Sequence, residues 1–100
     1  MSDDITLQIS RHAYERAKSR FRWKSTVLDK MAHRAFHEGI RHCDTKGRVN
    51  KYITDTFFAY KTATNIRIHG DVVYLFAGNG ILITLYSLPN EYRKYVKAFK

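Results

Sequence analysis

The chain has one cysteine, one proline, one tryptophan and five glycines in 100 residues, and only nine acidic side chains. A lone Cys43 excludes an internal disulfide, so the fold must be held by its core, and a reducing cytoplasm is the expected setting. There is no internal repeat and no low-complexity tract. One domain covering residues 1–100 is expected, because this length fills one core but not two. Long apolar runs are also missing. The longest unpunctuated ones, Val72 to Ala77 and Ile81 to Tyr86, fall far short of the roughly 20 residues needed to cross a bilayer, so no membrane partner is expected. Met1-Ser2-Asp3-Asp4 has neither the basic nor the apolar region of a secretory signal, which predicts no export.

Apolar residues make up 44% of the chain and aromatics 14%, enough to fill that core and to argue against disorder. The shortage of acids against 18 Lys and Arg gives a formal charge of +9. Its placement is uneven. Arg11, Arg16, Lys18, Arg20, Arg22 and Lys24 are opposed only by Glu15, and Arg93, Lys94, Lys97 and Lys100 only by Glu91. Such clusters concentrate positive potential, and phosphates bound there release condensed counterions. The implied partner is a nucleic acid, RNA favoured over DNA, or a protein that handles one. The expectation is that leading and closing cations meet on a common surface. The plainer alternative is that they solubilise helix faces.

Ile5, Leu7 and Ile9 alternate with polar residues and predict a strand, after which Ser10 can cap a helix through Ala13, Ala17 and Phe21. A second helix follows from Val27/Leu28, Met31/Ala32 and Ala35/Phe36, with Gly39 as its stop. Val49, Tyr52, Ile53, Phe57 and Tyr60 keep helical spacing and predict a third. From Asn65 the period becomes two, and Gly70-Asp71 and Gly78-Asn79-Gly80 mark turns of a three-stranded antiparallel meander. Pro89 ends the last strand, and Asn90 to Lys100 predicts a short basic helix. The expected class is therefore α+β: an N-terminal strand, two to three helices on one face of a curved sheet, the meander, and a C-terminal helix, with the opposite face open.

Three constellations can carry chemistry. His12, Arg16 and Arg20 recur every four residues on one helix face, and Arg67 and His69 share one side of a strand. Cleavage of RNA needs a proton taken from a 2′-hydroxyl, a proton given to the leaving oxygen and a stabilised phosphorane. His12 suits proton transfer, Arg16 and Arg67 phosphate contact, and Thr84 or Tyr86 orientation. His12 can equally serve as a helix-start packing residue, and Arg67 as one half of an ion pair. The second constellation is His33 and His37, four apart, followed by His42-Cys43. That spacing can chelate zinc, but neither HExxH nor CxxC is complete, so no metal or other cofactor is expected. The third is the aromatic set Tyr14, Trp23, Tyr52, Tyr60, Tyr74, Tyr86, Tyr92 and Tyr95 among cations. Any exposed member can stack on an unpaired base, although most should be core. The expected nucleic-acid contacts are Arg11, Lys18, Arg20, Arg22, Lys24, His69, Tyr86, Arg93, Lys94 and Lys97.

The segment Ile9-Ser10-Arg11-His12-Ala13-Tyr14-Glu15-Arg16, with Val73-Tyr74-Leu75-Phe76 and Ile81-Leu82-Ile83-Thr84-Leu85-Tyr86, resembles an uncharacterised bacterial and phage domain family. That family opens with Ser-x-His-Ala-x-x-Arg and is similar to the BrnT and RelE ribonuclease toxins of the barnase-EndoU-colicin-RelE fold group. The resemblance implies a metal-independent endoribonuclease with His12, Arg16 and Thr84 at matched positions, and an antitoxin as a possible partner. The sequence departs from the group in its third helical segment and in lacking a lysine-rich catalytic strand. A scaffold of this kind can also persist as a binding module without catalysis. Two further functions are therefore expected alternatives: a sequence-tolerant nucleic-acid binder, and a phage or mobile-element protein that inhibits a host nuclease or defence complex.

Overall fold

Five consecutive apolar residues, Val72–Phe76, are too short a run for a helix and lack the alternation of a half-buried strand, so both faces of the strand they form must be covered. A computed structural model of the chain describes residues 7–59 and 65–96. The elements are β1 (Gln8–Ile9), α1 (Arg11–Arg16), a π-helical turn continuing α1 over Ala17–Phe21, α2 (Ser25–Glu38), β2 (Ile40–Arg41), a 3-10 turn (His42–Asp44), α3 (Gly47–Ala59), β3 (Asn65–His69), β4 (Val72–Phe76), β5 (Ile81–Ser87) and α4 (Asn90–Val96). The strands form one sheet in the order β1-β5-β4-β3-β2. β1 runs parallel to β5 and every other pair is antiparallel.

β4 lies at the centre and is buried along its whole length. Alternation of its side chains divides the interior in two. Val72, Tyr74 and Phe76 join Ala13, Ala17, Leu28, Ala32, Ala35, Leu82 and Leu85 under α1 and α2. Val73 and Leu75 join Val49, Ile53, Ile66, Ile68, Leu88 and Val96 under α3 and α4. The spacing of the buried positions explains both layers: Leu28, Ala32 and Ala35 on α2, and Val49, Ile53 and Thr56 on α3, each fall on one helical stripe.

The α+β class holds, but the expected layout needs three corrections. The meander β3-β4-β5 is the centre of a five-stranded mixed sheet, with the N-terminal strand parallel to β5 at one edge, where an N-terminal strand and a three-stranded meander were expected. Helices cover both faces, because the apolar stripe of α3 needs a partner and β4 supplies it. β2, pairing Ile40 with Ile68 and Arg41 with Arg67, was not foreseen, since two residues carry no periodicity. The strand expected over Ile5–Ile9 is seen at Gln8–Ile9, and Ile5, Tyr60 and Lys97–Lys100 lie outside the described residues.

Two glycines act as turn devices. Gly70 and Asp71 have φ of 56° and 62°, the doubly left-handed turn that matches hairpin twist. Gly39 stops α2 differently. Its backbone is extended, and a Cβ there would collide with the Ala35 carbonyl oxygen and sit 3.1 Å from the Arg67 Cβ. Gly39→Ala should therefore lower the urea midpoint, by about 1–3 kcal/mol of unfolding free energy.

Tyr74 makes an opposite prediction. It is fully buried, and its hydroxyl has no hydrogen-bond partner among the described residues. Burial pushes its pKa up, as it does for Tyr52. Because the folded values are raised above an unfolded value of about 10, their contribution to stability is complete below that pH and is lost as pH rises through it. Tyr74→Phe should raise stability by about 1 kcal/mol at neutral pH, since an unsatisfied buried hydroxyl is removed. Denaturant midpoints of the variant should also fall less than those of the parent between neutrality and about pH 11.

Candidate functional site

A strand edge determines where α1 sits. β1 pairs only with Ile81 and Leu82, so beyond that point the edge of β5 that faces away from β4 has no neighbouring strand. Side chains of the first helical segment take its place. Ser10 Oγ donates to the Ile83 carbonyl at 2.9 Å while accepting the Ala13 N–H at 3.1 Å, so one hydroxyl caps α1 and fastens it to β5. Arg20 Nη1 donates to the Leu85 carbonyl at 3.3 Å. Ala13 and Ala17, both buried, let the helix approach closely.

The segment then leaves regular geometry. Ala17–Phe21 form a π-helical turn, and Arg22 follows in the left-handed region at φ 58°. The turn closes through Arg22 N–H to the Lys18 carbonyl and Trp23 N–H to the Ala17 carbonyl. A left-handed non-glycine residue costs roughly 1–3 kcal/mol, and π-turns concentrate at functional sites. Here the two together redirect the chain so that Trp23 stacks on Phe21, with centroids 4.9 Å apart and planes at 27°.

This junction of α1 and α2 holds a groove of about 840 Å³ lined by Tyr14, Lys18, Arg22, Trp23, Lys24 and Ser25. The three cations are exposed, and none forms an ion pair with a described carboxylate; the pairs among described residues are Arg11–Glu15, Arg41–Asp44 and Lys51–Asp55. Tyr14 donates its hydroxyl to Asp29 Oδ1 at 3.2 Å, which ties α1 to α2, and partial burial together with that bond raises the phenol's pKa. The groove thus has an aromatic wall and a cationic rim. Of the expected contacts it unites Lys18, Arg22 and Lys24. It brings in Tyr14 and Trp23 from the aromatic set and adds Ser25. Arg22-Trp23-Lys24, with the chain's single tryptophan between two cations, is the signal in the sequence that points to this place.

The other expected contacts lie elsewhere. Arg11 pairs with Glu15 at 3.6 Å, and Arg20 serves the β5 edge. His69 ends β3 opposite Val72. Tyr86 donates to Thr56 Oγ1 at 3.1 Å within the α3 layer. Arg93 Nε donates to the Leu88 carbonyl at 3.0 Å, and Lys94 stands 5.2 Å above the Tyr95 ring. Lys97 is outside the described residues. Arg93 and Lys94 ride on α4, whose Val96 packs in the second core cluster, whereas Ala13 and Ala17 anchor α1 in the first. The leading and closing cations therefore belong to different layers.

The four residues expected to cut RNA are likewise distributed. His12 and Arg16 meet, with Arg16 Nε donating to His12 Nε2 at 3.2 Å on an exposed face. Thr84 is 4% exposed and opposes Leu75, so it faces the α3 and α4 layer, away from His12. Arg67 opposes Tyr74 on the α2 side, with its guanidinium 5.4 Å from the Phe36 ring centroid. No described acid pairs with it, because Asp44 is engaged by Arg41, and its Nε has no partner among the described residues. Burial pulls the pKa of Arg67 down, and Arg41 across the strand pair adds to this. His33 Nδ1 contacts the Asp29 carbonyl and His42 Nε2 contacts Thr54 Oγ1, so these histidines do not share one centre. Among the described residues no three His, Cys, Asp or Glu side chains converge as metal ligands.

Arg22 links strain to the groove. Arg22→Gly should be at least as stable as the parent in urea, because glycine adopts φ 58° freely, whereas Arg22→Val should lose about 1 kcal/mol or more. Comparison with known proteins finds no matching family model, no matching curated protein and no matching solved structure.

Proposed function

We propose that the protein is a nucleic-acid-binding module that holds phosphates on Lys18, Arg22 and Lys24 and does so without cutting the chain. One observation carries this reading: three cations free of described carboxylates share a groove with two aromatic side chains. A groove with a cationic rim attracts a polyanion through counterion release, which does not depend on base sequence. A metal-independent ribonuclease needs a base, an acid and a phosphate clamp that all reach one phosphodiester. His12 and Arg16 are paired, but Thr84 is enclosed on the far side of the sheet and Arg67 lies beneath the end of α2. Geometry thus favours binding over cleavage. Kinship with the BrnT and RelE group remains part of the proposal. The order of strand, helices and antiparallel strands supports it, and the α3 and α4 layer on the second face would be an addition to that scaffold.

Anisotropy titrations of labelled RNA and DNA of matched sequence test the reading. Three phosphate contacts predict a log–log salt slope of about −2 to −3, and replacing Lys18, Arg22 or Lys24 with Gln should reduce its magnitude by roughly 0.7–0.9 each. A flat slope, or no binding at low salt, would overturn the proposal. RNA incubated with the protein in chelator should remain intact; cleavage that His12→Ala removes would restore the nuclease reading instead.

A further inference from the structure

We infer that the groove between α1 and α2 takes an unpaired nucleobase, stacked on Trp23 with its phosphate on the cationic rim, so that the ligand class is single-stranded nucleic acid. This rests on the nucleic-acid reading above and narrows it. Phosphate attraction alone does not distinguish a duplex from a single strand, so the distinction must come from the groove's other wall. Trp23 and Tyr14 supply aromatic surface there, beside Lys18, Arg22 and Lys24. In a duplex the base faces are occupied by neighbouring bases and only edges are offered, whereas a single strand can present a whole face to an aromatic ring.

Shape and rigidity agree. The groove's volume of about 840 Å³ falls within the roughly 300–1,000 Å³ of sites that enclose a small organic ligand. Phosphate contact by itself calls for no concavity of that size. The indole is fixed before any ligand arrives, since Phe21 stacks against it at 4.9 Å and the left-handed Arg22 fixes the chain that carries it. A base landing on it therefore gives up little protein side-chain freedom. The hydroxyl of Tyr14 is directed to Asp29, so that ring is held as well. Every base has an aromatic face, and the site consequently reads the absence of pairing rather than a sequence.

The test compares three polyanions on the whole chain: a short heteropolymeric single strand, the same sequence annealed as a duplex, and inorganic polyphosphate. Trp23 is the chain's single tryptophan, so its emission reports on this groove alone. The single strand should quench it, and polyphosphate should bind without comparable quenching. By anisotropy of the labelled strand, Trp23→Ala should weaken single-strand binding roughly 5- to 150-fold. Its affinity for polyphosphate should stay within about twofold. Trp23→Phe, which keeps a stacking ring, should recover much of the loss and guards against a variant that merely misfolds. Equal affinity for single strand and duplex with unchanged Trp emission would overturn this inference while leaving polyanion binding intact. An equal loss by Trp23→Ala on all three ligands would overturn it too, by making the indole structural. Failure to bind any of the three would sink the broader reading as well.

Discussion

β4 has no solvent on either side. Five apolar residues in succession require cover above and below, and α1 with α2 supply it on one face while α3 with α4 supply it on the other. Losing a large side chain such as Leu75 to alanine in such a strand costs about 2–5 kcal/mol, a sizeable part of the stability of a small domain. The same requirement covers polar side chains of the sheet. Thr84, whose residue type suits phosphate orientation, is buried opposite Leu75, and Tyr86 is partly buried and bonded to Thr56 of α3. The exposed cations Lys18, Arg22 and Lys24 stand at the rim, where α1 and α2 meet.

The α1–α2 corner owes its shape to a strand that ends early. With β1 only two residues long, Ser10 and Arg20 satisfy carbonyls of β5 and fix α1 along that edge. The helix cannot continue into α2 in a straight line, and the π-helical turn with left-handed Arg22 makes the corner. Strain of this kind persists only where its surroundings over-determine it. The Phe21–Trp23 stack and the Tyr14–Asp29 bond do so here. The groove is thus a consequence of how the helix is anchored, and its cations stand on a rigid support.

Charge acts locally in this molecule. A net charge of +9 suggests a broad basic surface, yet the cations of α1 and α4 belong to opposite layers, and Arg20, Arg67 and Arg93 lean on carbonyls or an aromatic ring. At physiological salt the Debye length is about 8 Å, so exposed charges cooperate only with near neighbours. The trio at the groove remains close enough to act as a unit.

Periodicity and punctuation made much of the fold legible. The stripes of Leu28, Ala32 and Ala35 and of Val49 and Ile53, the Gly70-Asp71 turn and the alternation of β3 are local properties, and local properties are written in neighbouring residues. The basic run of Lys18, Arg22 and Lys24 was equally plain. Pairing was not. The two-residue β2 carries no pattern, and whether α3 lies on the same face as α2 or the opposite one depends on which side of β4 has room. The separation of Thr84 and Arg67 from His12 follows from register, which no single strand specifies by itself. The sequence by itself determined the class, the helices and the excess of positive charge. Only the tertiary structure decided that Arg22, Trp23 and Lys24 close a groove with Lys18 and Tyr14 of the first helical segment, because that depends on where a helix is tied to the edge of a strand more than sixty residues away.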